Sequence, residues 1–398
     1  MQNLNMKLHV VFCTTNLPRS IAMVDQMRRV IKDIELSFSA LIIGSSNKEH
    51  NESIECGINI IKICDQYLPI NESRNICQGY LKNEMESKGG LGMILDDDLE
   101  WFMPENNFVK LLEDLNNKDC DMAFMPVVGD APIPKEYVRA SALLDVLLAI
   151  KSDTGTCAIN EYLVDVTTGD DTKVEYHHHD YYSYKKIGFN ANKICLNDFC
   201  FNHFIESLYT GKSTTRHPLH SDKITVATGR ERGPATIVFN SAVLKYKNIA
   251  ISHPPYHSRR SDMMMALQAR HNGYKLFNTP AVLKHNRQEE FDSHDPKKLI
   301  GDILGYALIE SFDGSSCNFE NFILHTTQRK NKTLEIIRDT SSMLKILAGW
   351  IDEQGQSTSR SQHLIENIII ENEKITSIFD SFDLYGTHDL FKNNELCV

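Results

Sequence analysis

The 398-residue sequence lacks long apolar runs, paired cysteines and an excess of positive charge. No stretch approaches the roughly 20 apolar residues of a membrane-spanning helix, and the apolar run at 8–13 is too short for a signal-peptide core. The ten cysteines form no Cys-x-x-Cys pair, which argues against the common zinc and thiol-redox motifs. With 42 Lys and Arg against 53 Asp and Glu, the formal net charge of −11 weighs against a broad nucleic-acid surface. These absences predict a cytoplasmic protein without a membrane span.

The composition that remains, 41% hydrophobic and 24% charged, is that of a folded globular protein. Short β-branched runs predict strands at 7–13, 40–43, 58–63 and 91–95, and apolar spacing predicts helices at 20–34 and 71–85, the latter capped by Asn71. This alternation predicts an α/β fold with a mostly parallel sheet flanked by helices. Ligands of such sheets bind at the carboxyl ends of the strands.

The pattern changes along the chain. Residues 130–215 are irregular, apart from a predicted helix at 135–150. Strand-like segments return at 236–240 and 274–283, on either side of a predicted helix at 261–271. Helical patterns then dominate at 297–312, 319–350 and 361–381. We therefore predict one domain at 1–292, with an insertion at about 130–215, and a helical C-terminal region at 293–398 that offers a surface for a homodimer.

The strongest chemical signal is an acidic run at the end of a predicted strand. The apolar segment 91–95 leads directly into Asp96, Asp97 and Asp98. Adjacent like charges are costly unless a cation is present, and hard cations such as Mg²⁺ or Mn²⁺ take oxygen ligands. In an extended chain Asp96 and Asp98 would share one side, with Asp97 turned away. The alternative is a solvated acidic turn.

Other motifs accompany this run in a fixed order. They are Arg74-Asn75 on the helix before the acidic strand, a glycine loop around Gly233, Asp262 at a helix start, the turn Gly273-Tyr274-Lys275, and His285 after the next strand. Together they resemble the GT-A glycosyltransferases, most closely the large inverting family typified by cellulose- and chitin-synthase-like and polysaccharide-side-chain enzymes. The resemblance covers roughly residues 7–287.

The resemblance implies a Rossmann-like GT-A fold and metal-dependent transfer of a sugar, with inversion, from a nucleotide-activated donor to an acceptor hydroxyl. The cofactor would be Mn²⁺ or Mg²⁺. Asp98 would be its principal ligand, Asp96 would contact the ribose or bind the metal through water, and His285 would complete the coordination shell. For His285 the alternative is a surface side chain. The residues expected at the donor are Arg74, Asp96, Asp97, Arg232, Gly233, Arg259 and Arg260.

Asp262 is the candidate general base. We expect Ser261 to cap the helix, which places Asp262 in the first turn, where the helix dipole favours a carboxylate. The alternative is that Asp262 only starts the helix. Where the family has Glu-Asp, this chain has Ser261-Asp262, so one carboxylate is available for the base. The Arg259-Arg260 pair can hold that carboxylate ionised, or, with Arg230 and Arg232, bind phosphate.

Other functions stay open at this point. A nucleotidyltransferase has a glycine-rich turn after its first strand, which 13–19 lacks. A phospho-sugar donor, a nucleic-acid or phosphorylated acceptor, and a non-catalytic nucleotide-binding module are further alternatives. The stretch His177–Asp180 invites a zinc interpretation, but adjacent histidines on a regular strand or helix do not converge on one ion. It is predicted instead as a surface or acceptor loop.

Overall fold

The computed structural model describes residues 6–44, 56–129, 146–147, 150, 156–158, 193–196, 200–210, 223–230, 235–253, 256–285, 296–382 and 391. The chain forms two compact units. The first comprises Met1–Gly129, His220–Ala250 and Arg260–Asn286, and the second Asp130–Leu219, Ile251–Arg259 and Arg287–Val398. The predicted limits of 1–292 and 293–398 stay a prediction, since compactness alone does not define an independently folding domain.

Strands and helices alternate in the first half of the chain. The elements there are β1 (Lys7–Thr14), α1 (Leu17–Val30), β2 (Glu35–Ile43), β3 (Ile58–Cys64), α2 (Ile70–Lys88), β4 (Leu91–Leu95), β5 (Leu99–Trp101), α3 (Glu105–Asn116), β6 (Met122–Met125), β7 (Val127–Gly129), β8 (Thr156–Ala158) and β9 (Lys193–Cys195).

The second half adds short strands and then long helices. Its elements are α4 (Phe201–Thr210), β10 (Thr225–Val226), β11 (Ala235–Val238), a 3-10 helix (Ser241–Lys245), β12 (Ser252–His253), β13 (Tyr256–His257), α5 (Ser261–His271), β14 (Leu276–Asn278), β15 (Leu283–His285), α6 (Pro296–Ser311), α7 (Phe319–Glu353) and α8 (Ser359–Ser381). The predicted C-terminal helices are confirmed.

The main sheet of the first unit has eight strands in the order β10-β14-β6-β11-β4-β1-β2-β3. Strand β1 runs parallel to β2 and β4, β2 runs parallel to β3, and β14 runs parallel to β6. Strand β11 is antiparallel to both of its neighbours, and β10 is antiparallel to β14. The predicted α/β class with a mostly parallel sheet is confirmed.

Helices cover both faces of this sheet, which explains why its strands are almost continuously apolar. Val10 and Phe12 of β1 belong to the core cluster that contains α1 and α3, whereas Val11 belongs to the opposite cluster with α2 and α5. Successive strand residues point to opposite faces, so one strand supplies both cores. The candidate residues on α2 and α5 therefore share one face of the sheet.

The ends of the helices differ from the predicted ones for local reasons. Helix α1 starts at Leu17 because Asn16 caps it: the Asn16 side chain accepts a hydrogen bond from the backbone N–H of Arg19 at 3.2 Å. Helix α2 starts at Ile70, directly after Pro69. The predicted Asn71 cap is wrong, since Asn71 already lies inside the helix.

A second sheet in the first unit pairs β5, β15 and β7. Strand β15 runs antiparallel to β5, with His285 opposite Leu99, and parallel to β7. This register places the backbone of His285 beside the residue that follows Asp98.

The second unit contains α4, α6, α7 and α8. The side chains of Ser361, Ile365, Ile368, Asn372, Ile375 and Phe379 on α8 are buried at alternating spacings of four and three, the pattern of a helix packed along another helix. Arg329 of α7 is buried and forms an ion pair with Glu310 of α6. Across the residues that the structure describes, none of the helices combines the length and apolarity needed to cross a bilayer.

Candidate functional site

Strand β4 ends at Leu95, and the acidic run follows it as a turn before β5 begins at Leu99. The extended alternation predicted for Asp96 and Asp98 therefore does not apply, because these residues are not part of the strand. Asp96 and Asp97 contact different parts of the first unit, so the run is not one acidic surface.

Asp96 is joined to Asp262 through Arg74. The Nη2 of Arg74 donates to Oδ1 of Asp96 at 3.0 Å, and its Nη1 lies 3.3 Å from Oδ2 of Asp262. Arg74 lies on α2, Asp96 follows β4, and Asp262 is in the first turn of α5. Three of the predicted site residues thus meet at the carboxyl end of β4.

The Arg74 guanidinium is largely withdrawn from water, since its side chain is 14% exposed and that of Asp262 is 12% exposed. Burial by itself would lower the pKa of Arg74, but the nearby carboxylates of Asp262 and Asp96 outweigh it, so the pKa is raised. Arg74 is therefore a permanent cation between two acids. Next to it, burial, followed by the charge of Asp96, raises the pKa of the Cys13 thiol to about 12.

The backbone around Arg74 is fixed by a group of amides that we call the amide clamp: Asn75, Gln78 and Asn248. The Oδ1 of Asn75 accepts from the backbone N–H of Asn248 at 2.7 Å and from its Nδ2 at 3.0 Å. Asn248 Nδ2 also donates to Oε1 of Gln78 at 2.9 Å, and Gln78 Nε2 donates to the Leu244 carbonyl at 2.8 Å. Arg74 therefore contacts the two carboxylates, whereas the neighbouring Asn75 hydrogen-bonds α2 to the segment after β11.

Behind the Arg74–Asp262 pair lies a small cavity of about 30 Å³. Its polar lining comes from Arg74, Asp262, Gln78, Asn248 and Thr236. A volume of this size accommodates about one water molecule. The cavity is too small for a sugar or a nucleotide, so such ligands have to lie outside it.

Asp262 occupies the first turn of α5, as predicted, but the predicted cap is wrong. The N-cap residue is Arg260, which has a left-handed backbone with φ of 69°, and it makes no side-chain cap hydrogen bond. Ser261 is the first helical residue, and its hydroxyl is buried. The positive end of the helix dipole still favours a carboxylate at Asp262.

Asp97 points toward the start of α1. Its Oδ2 accepts from Oγ1 of Thr14 at 2.7 Å and its Oδ1 accepts from Nη2 of Arg19 at 2.9 Å. Thr14 Oγ1 in turn accepts from Ser20 Oγ at 2.8 Å. Burial raises the pKa of Asp97, against the lowering effects of Thr14 and Arg19. Asp97 therefore ties the acidic turn to the β1–α1 loop, and a donor-binding role for it stays a prediction.

A cavity of about 320 Å³ lies beside the other end of the acidic turn. Asp98 and Glu100 line it together with Asp97, and α1 contributes Arg19, Ala22, Met23, Gln26 and Arg29. Asp98 thus borders a space that is large enough for part of a ligand. Strand pairing brings the His285 backbone opposite Leu99, but the His285 side chain lies outside the described part of the chain.

The arginines predicted to bind phosphate differ in burial and in their partners. Arg259 pairs with Asp302 inside the second unit, at 3.3 Å between Nη1 and Oδ2. Arg260 is buried, and Arg230 is exposed. Arg232 and Gly233 lie outside the described residues, as does His177–Asp180. Ala235, which follows the glycine loop, pairs with Leu95 directly before Asp96.

The carboxylates at this edge suit a divalent ion by type, since Mg²⁺ and Mn²⁺ prefer oxygen ligands. Among the described side chains, however, no group of three or more His, Cys, Asp or Glu is arranged to hold a metal. Asp98 lines the larger cavity and Asp96 is held by Arg74. The carboxylate oxygens of Asp96 and Asp98 are thus of the kind that binds Mg²⁺ or Mn²⁺. The assignment of Asp96, Asp98 and His285 as metal ligands stays a prediction.

Sequence reasoning missed the partners that organise the site. Asp262 forms an ion pair with Arg74, which is distant in sequence, and Asp97 is held by Thr14 and Arg19. An Arg on the helix before the acidic strand was a visible signal. Nothing in the linear pattern joined it to a residue at the start of α5.

No protein-family model matches this sequence, and no curated protein matches it. Similar folds exist among solved structures. The mannosyltransferase PcManGT from Pyrobaculum calidifontis, in complex with GDP-Man and Mn²⁺, aligns over 94% of this chain and 88% of its own, with 9% identity and a TM-score of 0.42. S. aureus TarS 1-349 in complex with UDP-GlcNAc aligns over 96% of this chain and 93% of its own, with 10% identity and a TM-score of 0.40. This chain is similar to both in fold, and at these identities and TM-scores neither likeness establishes an activity for it.

Proposed function

We propose that this protein is a glycosyltransferase that moves a sugar from a nucleotide-activated donor to an acceptor hydroxyl with inversion. The observation that carries the proposal is the pair of contacts from Arg74 to Asp96 and Asp262. These contacts bring an acid from the end of β4 within reach of an acid at the start of α5. Three of the residues through which the sequence resembles the GT-A family, Arg74, Asp96 and Asp262, thus meet at the carboxyl edge of the sheet, where ligands of α/β folds bind.

In this proposal Asp262 is the general base. The acceptor oxygen bonds to the anomeric carbon of the donor as the bond from that carbon to the diphosphate oxygen breaks. The acceptor proton passes to the Asp262 carboxylate, and the nucleoside diphosphate leaves with the electron pair. Arg74 lies where it can offset part of the negative charge that grows on the leaving group.

A divalent metal, Mn²⁺ or Mg²⁺, is part of the proposal. Asp98 would be the main ligand of the metal, and His285 would complete its coordination shell. Asp96 would bind the metal directly or through water, or would contact the ribose of the donor. When bound, the metal neutralises the leaving diphosphate. In this proposal part of the donor occupies the 320 Å³ cavity beside Asp98, and its diphosphate lies beside Asp96. The acceptor would approach from the side of Asp262.

The test is a calorimetric titration of nucleoside diphosphates with and without Mn²⁺, after a thermal-shift screen has selected the nucleotide. Ligands that bind the folded state raise its melting temperature. We expect Mn²⁺-dependent binding in the wild-type protein and its loss in Asp98→Asn, because the amide keeps the shape of the side chain and removes its charge.

Asp114→Asn is the matched control, since Asp114 is exposed on α3 and lies outside the acidic turn. It should bind as the wild type does. Equal metal-dependent affinity in Asp98→Asn and in the wild type would remove Asp98 from the metal site. The absence of any nucleotide binding by the wild type would contradict the proposed function itself.

A further inference from the structure

We infer that Arg74 couples donor binding to the general base. It holds Asp262 while the donor site is empty and loosens that hold when a diphosphate binds beside Asp96. The inference rests on the proposed function and assigns to Arg74 a positioning role in addition to donor contact.

One guanidinium contacts both carboxylates. Nη1 faces Asp262 and Nη2 faces Asp96, so one rigid planar group spans the two sites. A guanidinium has five N–H donors in a fixed fork, and its orientation toward one acceptor limits its orientation toward the other. A change in the partner on the Asp96 side therefore alters the contact on the Asp262 side.

The backbone of Arg74 is fixed by its neighbours on α2. Asn75 and Gln78, the next residue and one turn further along α2, are both hydrogen-bonded to Asn248 in the amide clamp. Gln78 also binds the backbone carbonyls of Leu244 and Tyr246. With α2 held in this way, a new ligand changes the side-chain torsions of Arg74 and not the position of the helix.

Anions compete for the N–H donors of Arg74. Asp96 and Asp262 already share one cation that is largely withdrawn from water, and the side chain of Asp96 is 27% exposed, which leaves its side of the site open to a ligand. A diphosphate placed there is a third anion for the same donors, and phosphate oxygens match the guanidinium fork well. Each N–H that turns from Asp262 to phosphate leaves an Asp262 oxygen better able to accept a proton. The base is then made ready only when the donor is present.

Binding couplings are reciprocal, and this gives the test. If a diphosphate draws Arg74 away from Asp262, removal of the Asp262 charge must make the diphosphate bind more tightly. We expect Asp262→Asn to lower the Kd for the nucleoside diphosphate, titrated with Mn²⁺ from a panel of UDP, GDP, ADP and CDP, by about 5-fold or more. In an Arg74→Gln background the same substitution should change the Kd by no more than about 2-fold, because the connecting group is gone.

Charge-matched controls are Asp114→Asn and Lys82→Gln, the latter at a half-exposed side chain of α2 that is paired with Glu86. Melting temperatures establish that each variant is folded, and Arg74→Lys, which keeps the charge and loses the fork, replaces Arg74→Gln if the latter does not fold. Unchanged or weaker binding in Asp262→Asn overturns the coupling and leaves the proposed function standing. An equal gain with and without Arg74 also overturns it, since simple charge removal then accounts for the gain. If the wild type binds none of the four nucleotides, both the proposed function and the coupling fail.

Discussion

At the scale of single residues, a largely buried cation between two carboxylates is expected to add little to the stability of the fold. Taking charges out of water is costly, and the Coulombic attraction between partners recovers this cost only in part. Arg74, Asp96 and Asp262 keep their charges close together at the edge of a sheet. An arrangement of this kind is expected where charge changes during a reaction.

The base assignment predicts a loss of turnover without a loss of donor binding. Asp262→Asn keeps the size of the side chain but cannot accept the acceptor proton as a carboxylate does. We expect the rate of sugar transfer to fall by about 10²–10⁴-fold, the usual contribution of general acid–base catalysis, while the donor nucleotide still binds at least as tightly. Release of nucleoside diphosphate from the donor identified by screening measures this rate. Wild-type turnover in Asp262→Asn would show that the base lies elsewhere.

The site residues were predictable where the sequence places them at the end of a predicted strand or at the start of a predicted helix. Asp96–Asp98 follow an apolar strand, and Asp262 starts a helix, so the sequence pattern indicated them. The contacts between them were not predictable, because Arg74 and Asp262 are distant in the chain. The predicted alternation of Asp96 and Asp98 was wrong because it assumed that the strand continues, whereas β4 ends at Leu95.

At the scale of elements, helix α6 comes unusually close to the segment around β13 in the second unit. A Cβ on Gly301 would lie 2.6 Å from the backbone carbonyl oxygen of His257 and 3.1 Å from Cγ of Arg259. The backbone N–H of Arg259 also donates to the Gly301 carbonyl at 2.8 Å. The lack of a side chain at Gly301 is what permits this contact.

Gly301→Ala should therefore destabilise the protein, by about 1–3 kcal/mol, because backbone atoms have to move to make room for the methyl group. Gly349→Ala is the matched control, since Gly349 is also helical and, among the described residues, a Cβ there meets no atom within 4 Å beyond its own helix backbone. That substitution should stabilise by about 0.5–1 kcal/mol through helix propensity. Thermal or urea denaturation measures both. Shifts of the same sign for the two variants would contradict the close contact.

The elements themselves were largely predictable, because their apolar periodicity is strong. Predicted β4 and α5 match the structure to the residue, and the three C-terminal helices agree to within a few residues. The sequence pattern at 274–283 could not show that two strands, β14 and β15, belong to different sheets. Sheet membership depends on distant pairing partners, which local periodicity does not report.

At the scale of the whole molecule, the net charge of −11 disfavours association with large polyanions. Nucleic acids are polyanions whose binding depends on neutralising several phosphates with Lys and Arg. Since acidic residues outnumber basic ones here, long-range repulsion opposes this association.

We accordingly expect no retention on heparin and no binding to a single-stranded or duplex oligonucleotide at about 150 mM salt, measured by fluorescence anisotropy. That result would weigh against a nucleic-acid acceptor. Tight, salt-sensitive binding to either oligonucleotide would instead favour a nucleic-acid acceptor, the alternative that the sequence left open.

The antiparallel strand β11 has a consequence for biosynthesis. It lies between β4 and β6 in the sheet, yet the ribosome makes it long after both of them. Until it is made, β4 and β6 lack their shared partner and present bare edges, which are sites of misassociation in incomplete sheets. The nascent chain therefore cannot complete the main sheet until residue 238 has left the exit tunnel. Shorter stalled chains should need a chaperone to avoid aggregation.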